Sequence, residues 1–313
     1  MLSLFAAAAA IAAANPAATD ITAPGPNGPL AGTMLDPGGK APLVLMIPGS
    51  GPTDRDGNSP MGITAGSYRR LAEALATTGV ASLRIDKRGM FGSKAAIPDP
   101  NAVTIADYAA DAHAWVDTVR QRTGRACLWL LGHSEGGVVA LKAAQQPAGI
   151  CGVILVSTPG KPLADTMRAQ LRANPANAPI LEPALKAINQ LEAGQRVDPA
   201  SLPAPLQRLF PAPVQGFMID LFAQKPTALA ASLKLPVLVV QGDRDIQVGV
   251  DDARALAAAA PRATLVVLPG VNHVLKSVAS DGRAANLATY RDSSLPIAAC
   301  VVDAIAAFVT AKR

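Results

Sequence analysis

The stretch LLGHSEGG, residues 130–137, sets a serine between glycines directly after an apolar run. Gly132-His133-Ser134-Glu135-Gly136 fits G-x-S-x-G, the pattern of a strand that turns sharply into a helix with the serine at its tip. The two glycines have a steric reason in such a turn, because helix and strand approach closely and a Cβ would collide. A plain glycine turn also fits five residues. The rest of the chain has to supply a base, an acid and oxyanion donors at the same place.

Working outward from that stretch, short apolar runs alternate with helical patterns. Residues 21–35 read as a hairpin around a Pro-Asn-Gly turn. Strands are expected at 42–48, 80–86, 126–131, 151–157, 236–241 and 263–268, with helices at 67–78, 104–123, 135–146, 250–260 and 295–311. Thr104 and Asp107 form a capping box at the start of the second helix, whose apolar face is Ile105, Tyr108, Ala112, Trp115 and Val119. The alternation stops at Thr158-Pro159-Gly160, and residues 160–233 are proline-rich and amphipathic without a strand-like run. They read as a helical cap inserted into a core made of residues 21–159 and 234–313. The expected fold class is α/β, a mostly parallel sheet covered by helices on both faces.

Ligands of open α/β sheets sit beyond the carboxyl ends of the strands. The loops after residues 48, 86, 131, 157, 241 and 268 therefore carry the candidates. A serine hydroxyl needs a base, and the chain has three histidines. His133 lies inside the turn with its side chain directed away from that of Ser134. His113 is mid-helix, one residue off the apolar stripe, and reads as solvated. His273, after the last strand, remains as the base. Its orienting carboxylate comes from QGDRDIQV, where Gly242, Asp245 and Val248 match a Gly-x-x-Asp-x-x-Val spacing. Asp245 is preferred to Asp243, which lies nearer the strand end and suits turn hydrogen bonds. The oxyanion donors are expected to be the backbone N–H of Glu135 and one N–H from PGSGPTDRDGN, that of Ser50 or Gly51. The chain order Ser, Asp, His differs from the chymotrypsin and subtilisin orders.

Composition bounds the alternatives. The chain has 313 residues, 50% hydrophobic and 4% aromatic, with a net charge of +5. Its basic residues are scattered, so nucleic-acid binding has no support. Past the first twenty residues no apolar run reaches the about eighteen of a membrane span. Residues 1–20 are alanine-rich and read as a signal peptide without a basic start, or as a tail outside the fold. A signal peptide would imply a secreted or periplasmic protein. Three cysteines without a C-x-x-C or Cys/His cluster give no metal site, and no cofactor is implied.

PGSGPTDRDG, DKRGMFGS and GHSEGG together resemble the α/β-hydrolase superfamily, among its esterases and serine-aminopeptidase-like hydrolases. The resemblance covers about residues 25–311. It departs at Pro48, which stands where a His often precedes the oxyanion glycine, and at Phe91, which alters the usual DKRG loop spacing. It implies an acyl-enzyme on Ser134, a small-molecule ester substrate of small or medium acyl length, and no cofactor. Asp54, Arg55, Asp56, Asp86 and Arg88 are expected as buried ion pairs holding the walls of the site. The implied topology makes the strands at Cys127 and Cys151 neighbours, so these cysteines are expected to be adjacent and able to bridge, leaving Cys300 as a buried small hydrophobe. Leu209, Phe210, Phe217, Met218, Leu221 and Phe222 form an apolar cap cluster expected to pack on the core or line the acyl pocket. The competing readings are an aminopeptidase or amidase, which would bind an amine through Glu182, Glu192, Asp165, Asp198 or Asp220, and a non-catalytic binding module. Nothing in the sequence fixes the oligomeric state.

Overall fold

The computed structural model describes residues 16–280 and 282–311. Eight short runs become strands: β1 (Ala18–Ala23), β2 (Leu30–Leu35), β3 (Leu43–Ile47), β4 (Ala81–Ile85), β5 (Leu128–His133), β6 (Ile150–Val156), β7 (Val237–Gly242) and β8 (Ala263–Leu268). They form one sheet in the order β1-β2-β4-β3-β5-β6-β7-β8. Pairing is antiparallel at β1–β2 and β2–β4 and parallel from β4 onward. The central strands β3, β4 and β7 are buried at every position, as expected for parallel strands covered on both faces.

Five core helices with the expected periodicity cover the sheet: α1 (Ser67–Thr77), α2 (Ile105–Thr123), α3 (Glu135–Ala143), then, beyond the insertion, α9 (Val250–Ala259) and α11 (Ala299–Thr310). Between β6 and β7 run α4 (Leu163–Ala173), α5 (Leu181–Glu192), α6 (Ala204–Leu209), α7 (Gln215–Phe222) and α8 (Pro226–Ala231), with no strand among them. A short α10 (Arg283–Ala288) follows β8. One face of the sheet packs on α2, α3 and α9, with Trp115 and Leu141 fully buried there, and the other on α1 and α11. The α2 stripe is buried as its period requires. Its capping box is present in both directions, Thr104 Oγ1 accepting from the Asp107 N–H at 3.1 Å and Asp107 Oδ2 from the Thr104 N–H at 2.9 Å.

The insertion has its own apolar cluster of Ala184, Ile188, Leu191, Leu206, Phe210 and Phe222, separate from the two core clusters. Leu221 and Phe217 pack on the core instead, and so does Ala230 of α8. Leu209 departs from the expected cluster and is exposed, because α6 turns that edge to solvent. Cys127 and Cys151 are disulfide-bonded at the amino ends of the adjacent β5 and β6, with Cα atoms 5.2 Å apart. Cys300 is exposed, against the expectation of burial: it stands in the first turn of α11, whose buried face starts at Val301. The expected leader or tail is also corrected in part. Residues 1–15 lie outside the described residues, but residues 18–20 already belong to β1, with Asp20 paired opposite Thr33. Among the described residues no helix is long and apolar enough to cross a membrane.

Candidate active site

The loops at the carboxyl ends of β3, β5, β7 and β8 converge. Ser134 opens α3 with φ 54° and ψ −124°, a region that costs a non-glycine residue about 1–3 kcal/mol. The strain is held from both sides. The Ser134 N–H donates to the Val156 carbonyl at 2.9 Å, and its carbonyl accepts from the Gly137 N–H at 2.9 Å. A Cβ at Gly132 would stand 2.1 Å from the Gly136 carbonyl oxygen, and one at Gly136 would stand 2.3 Å from that of Ile47. The glycines of the motif are therefore required by the close passage of helix, strand and oxyanion loop.

Ser134 and His273 line one small cavity of about 70 Å³ together with Gly49, Ser50, Tyr68 and Gln247. His273 is buried, and its Nδ1 lies 2.8 Å from Asp245 Oδ2. The same oxygen accepts from Gln241 Nε2 at 3.2 Å, while Oδ1 accepts the N–H groups of Gln247 at 2.8 Å and Val248 at 3.0 Å. Burial alone would push the Asp245 carboxyl up. The neighbouring imidazole and the two backbone donors outweigh that and hold it below the usual carboxylate range. Asp243 instead accepts the Gly270 N–H at 2.7 Å, tying the two loops together, as its position nearer the strand end suggests.

The oxyanion loop is fixed from below. The Gly49 N–H donates to Tyr68 Oη at 3.0 Å, and its carbonyl accepts from Lys87 Nζ at 2.7 Å. Lys87 is buried and pairs at 3.5 Å with Glu135, which is buried as well. The Gly49 N–H is thus taken, and the amides of Ser50 and Gly51 follow it in the loop. Ser50 lines both cavities that contain Ser134, and Gly51 has φ 67°. The Glu135 N–H stands at the positive end of α3.

Sequence reasoning missed a buried chain beneath this assembly. Tyr68 Oη is 2.9 Å from His133 Nδ1, and His133 Nε2 is 2.8 Å from the His273 carbonyl oxygen. A carbonyl only accepts, so Nε2 carries the proton and Nδ1 accepts from the Tyr68 hydroxyl. Burial, and then the nearby His273, push the His133 pKa down to about 3, so its imidazole is neutral, which this chain requires. Burial likewise raises the Tyr68 phenol well above its ordinary value. The expected orientation of His133, away from Ser134, fits this geometry. His113 is half-buried rather than fully solvated: its Nε2 lies 3.0 Å from the Ala143 carbonyl oxygen, where the edge of α2 meets the end of α3.

Around the rim, Arg55 Nε donates to Asp86 at 2.9 Å, Arg84 pairs with Asp56, and Arg88 holds Asp111 at 2.6 Å and Asp107 at 3.1 Å. Asp54 departs from the expected ion pairs and accepts the N–H groups of Asp56 and Asn58 in the turn. Phe91 takes φ 45°, a region that favours glycine, and leaves its ring exposed. Above Ser134 and Ser50 a second cavity of about 200 Å³ opens toward the cap, with Val138, Leu163, Leu221 and Pro226 among its apolar lining. Of the expected cap cluster, Leu221 lines it. Among the described residues no cluster of potential metal ligands is present.

The chain is 29% identical over 235 residues to esterase EstD of Thermotoga maritima, covering 74% of this chain and 53% of that protein, so it spans about half the length of that curated relative. Its fold matches a thermophilic esterase from Thermogutta terrifontis with a TM-score of 0.56 at 21% identity, over 94% of this chain and 98% of that one. It also matches Est1E of Butyrivibrio proteoclasticus, solved with ferulic acid, with a TM-score of 0.54 at 18% identity, over 87% and 96%. A model of the alpha/beta hydrolase family matches residues 44–284, which hold every candidate site residue named above, and the chain belongs to that family.

Proposed function

We propose that the protein is a carboxylesterase of small or medium acyl groups, working through an acyl-enzyme on Ser134. The observation that carries this reading is the strained Ser134 sharing a cavity with His273, whose Nδ1 is held 2.8 Å from Asp245. In this reading His273 takes the Ser134 proton as the hydroxyl attacks the ester carbonyl, and Asp245 keeps the imidazole in the required tautomer. The N–H groups of Glu135 and of Ser50 or Gly51 receive the developing oxyanion. His273 then protonates the departing alcohol, and a water activated by the same histidine releases the acid.

The cap carboxylates that the aminopeptidase reading would use already have partners or face solvent. Asp165 and Glu192 both pair with Arg168, Asp198 accepts the Ala200 N–H, and Asp220 accepts the Ile105 N–H. Glu182 lies on the exposed side of α5. Esters therefore suit the site better than N-terminal amines, and the esterase branch of the family is preferred to its serine-aminopeptidase branch. The Cys127–Cys151 disulfide favours an oxidising compartment, secreted or periplasmic, which cell fractionation would check.

The test is hydrolysis of p-nitrophenyl acetate, butyrate and octanoate beside alanine p-nitroanilide, for wild type and Ser134→Ala. Ester turnover is expected, preferring the shorter acyl chains and falling at least about 10³-fold in the variant. Anilide turnover in place of ester turnover, or equal rates in both proteins, would sink the reading.

A further inference from the structure

Gln247 stands where three spaces meet. It lines the acyl-side cavity of about 200 Å³, the small cavity holding His273, and an open groove of about 680 Å³ between the cap and α10. Its position is fixed by three hydrogen bonds: its N–H donates to Asp245, its carbonyl accepts from Gln170 Nε2 at 3.1 Å, and its Nε2 donates to Tyr290 Oη at 3.2 Å. Gln170, Gln247 and Tyr290 thus form a strap from the cap to the loop after β8.

The chemistry assigns the two sides of this strap. This step rests on the esterase reading. The bond from Ser134 Oγ to the acyl carbon forms first and gives the oxyanion; as the carbonyl re-forms, the bond from that carbon to the alcohol oxygen breaks, and the proton that left Ser134 passes from His273 Nε2 to the alcohol oxygen. The alcohol must therefore depart on the side where His273 is exposed to the cavity. The space of about 200 Å³ is lined by Ser134, Ser50 and Glu135 without His273, which makes it the acyl side. Gln247 lines both the cavity with His273 and the groove, so it is where an alcohol leaving past His273 would meet the groove.

The lining of that groove matches one kind of alcohol. Tyr290 Oη already accepts from Gln247, so its proton is free to be donated, and burial pushes its pKa up to about 12, which keeps that proton in place. Asn177 donates Nδ2 to the Leu171 carbonyl and retains Oδ1 as an acceptor. Asn174 accepts through Oδ1 from the Ala176 N–H and retains its NH₂ as a donor. These donors and acceptors, with Arg283, share the groove with apolar Pro175, Ile246 and Leu287. A hydroxyl both donates and accepts, and a sugar ring presents several hydroxyls around apolar C–H faces. The chain of a plain alkyl alcohol would make no hydrogen bond to these groups.

We infer that the groove bounded by Asn174, Asn177 and Tyr290 is the leaving-alcohol subsite and that it takes a polyhydroxylated, sugar-like alcohol carrying a short acyl group.

The test compares kcat/KM for an O-acetylated xylotriose, hexyl acetate and p-nitrophenyl acetate in wild type, Tyr290→Phe and Asn177→Ala. One neutral hydrogen bond is worth about three- to tenfold in affinity. Wild type is expected to favour the acetylated sugar over hexyl acetate by about tenfold or more. Each variant is expected to lower that ratio at least about threefold, through KM on the sugar ester. A wild type that prefers hexyl acetate, or a ratio that neither variant moves, would overturn the subsite. Turnover of p-nitrophenyl acetate reports separately on acyl transfer: if it persists while the sugar preference is absent, the subsite alone fails. An enzyme inert on all three esters would overturn both readings.

Discussion

In the floor of the site Asp245 accepts hydrogen bonds from His273, Gln241, Gln247 and Val248, and Tyr68 joins the Gly49 N–H to His133 and through it to the His273 carbonyl. The cap differs in kind. Its helices meet through Ile188, Leu191, Phe210 and Phe222, it packs on the core through Leu221 and Phe217, and Gln170 donates to the Gln247 carbonyl in the loop after β7. Directional polar bonds fix atoms to within tenths of an ångström, while apolar packing tolerates volume-conserving change. The difference teaches that the positions of the reacting groups belong to the sheet and its loops, and the shape of the substrate space to the insertion.

The sharpest way to break that comparison is to charge the floor. Unfolded His133 binds a proton below about pH 6.5, but in the folded chain its pKa is pushed to about 3. Between those values the unfolded state holds a proton that the folded state refuses, so stability falls as pH falls, by about 1.4 kcal/mol per unit for this one group. About 3 kcal/mol is expected to go between pH 6.5 and about pH 4. Thermal melts of His133→Asn over that range should show a shallower slope than wild type. An equally steep slope would mean that His133 is not held neutral by its burial in the floor.

A second expectation separates the stability of the sheet from the geometry of the site. The disulfide staples β5 to β6 at the amino ends of the strands, away from Ser134 at the opposite end, and closes a sequence separation of 24. Loop-closure entropy for such a span is about 3 kcal/mol. The double variant Cys127→Ser, Cys151→Ser should melt about 5 °C lower, with kcat on p-nitrophenyl acetate within about twofold of wild type when both are measured well below their melting temperatures. A larger fall in kcat would show that strain at one end of these strands reaches the other.

How far the sequence reveals this molecule follows the same division. Ser134, Asp245 and His273 are each legible because each follows a short apolar strand, and strand ends are where an α/β sheet gathers its chemistry. The Tyr68–His133 chain is not, since its members lie 65 positions apart and Tyr68 sits on an ordinary apolar helix face. β1 begins inside the presumed tail because ATDITA is an antiparallel edge strand without a long apolar run. α10 is six residues long, too short to show a period, and is held by Asn286 donating to the Arg244 carbonyl at 2.7 Å. The cap's helices were legible as helices, but which of its apolar residues face the cavity depends on how five short helices pack, and Leu221 was not distinguishable from Leu209.

Tyr68→Phe probes the coupling inside the floor. It removes one hydroxyl and leaves the Gly49 N–H and His133 Nδ1 without it, two buried polar groups at about 1–3 kcal/mol each when unsatisfied. The Gly49 turn carries the Ser50 and Gly51 amides, and the His133 ring carries the backbone of His273. If the chain positions both, kcat should fall about tenfold with KM little changed, because the loss is of geometry needed in the transition state. A lower melting temperature with an unaltered kcat at 25 °C would make the chain a stability device only.

The smallest effect tests the cap's half of the comparison. Leu221 is buried at the roof of the acyl-side cavity and packs on the core from α7. In a space of about 200 Å³, a side chain at that place limits how many methylenes an acyl group can bury. Each methylene that finds a dry apolar surface gains about 0.8 kcal/mol. Leu221→Ala opens room for one or two, so the kcat/KM ratio of p-nitrophenyl octanoate to acetate should rise about fivefold. Acetate turnover should stay close to wild type, since its methyl group does not reach the roof. The mirror-image substitution on the exposed side of the same insertion, Leu209→Ala, should leave the ratio where it was. If Leu221→Ala lowered acetate and octanoate turnover alike, the cap would be setting the position of the reacting groups as well as the shape of the space, and the division between floor and cap would not hold.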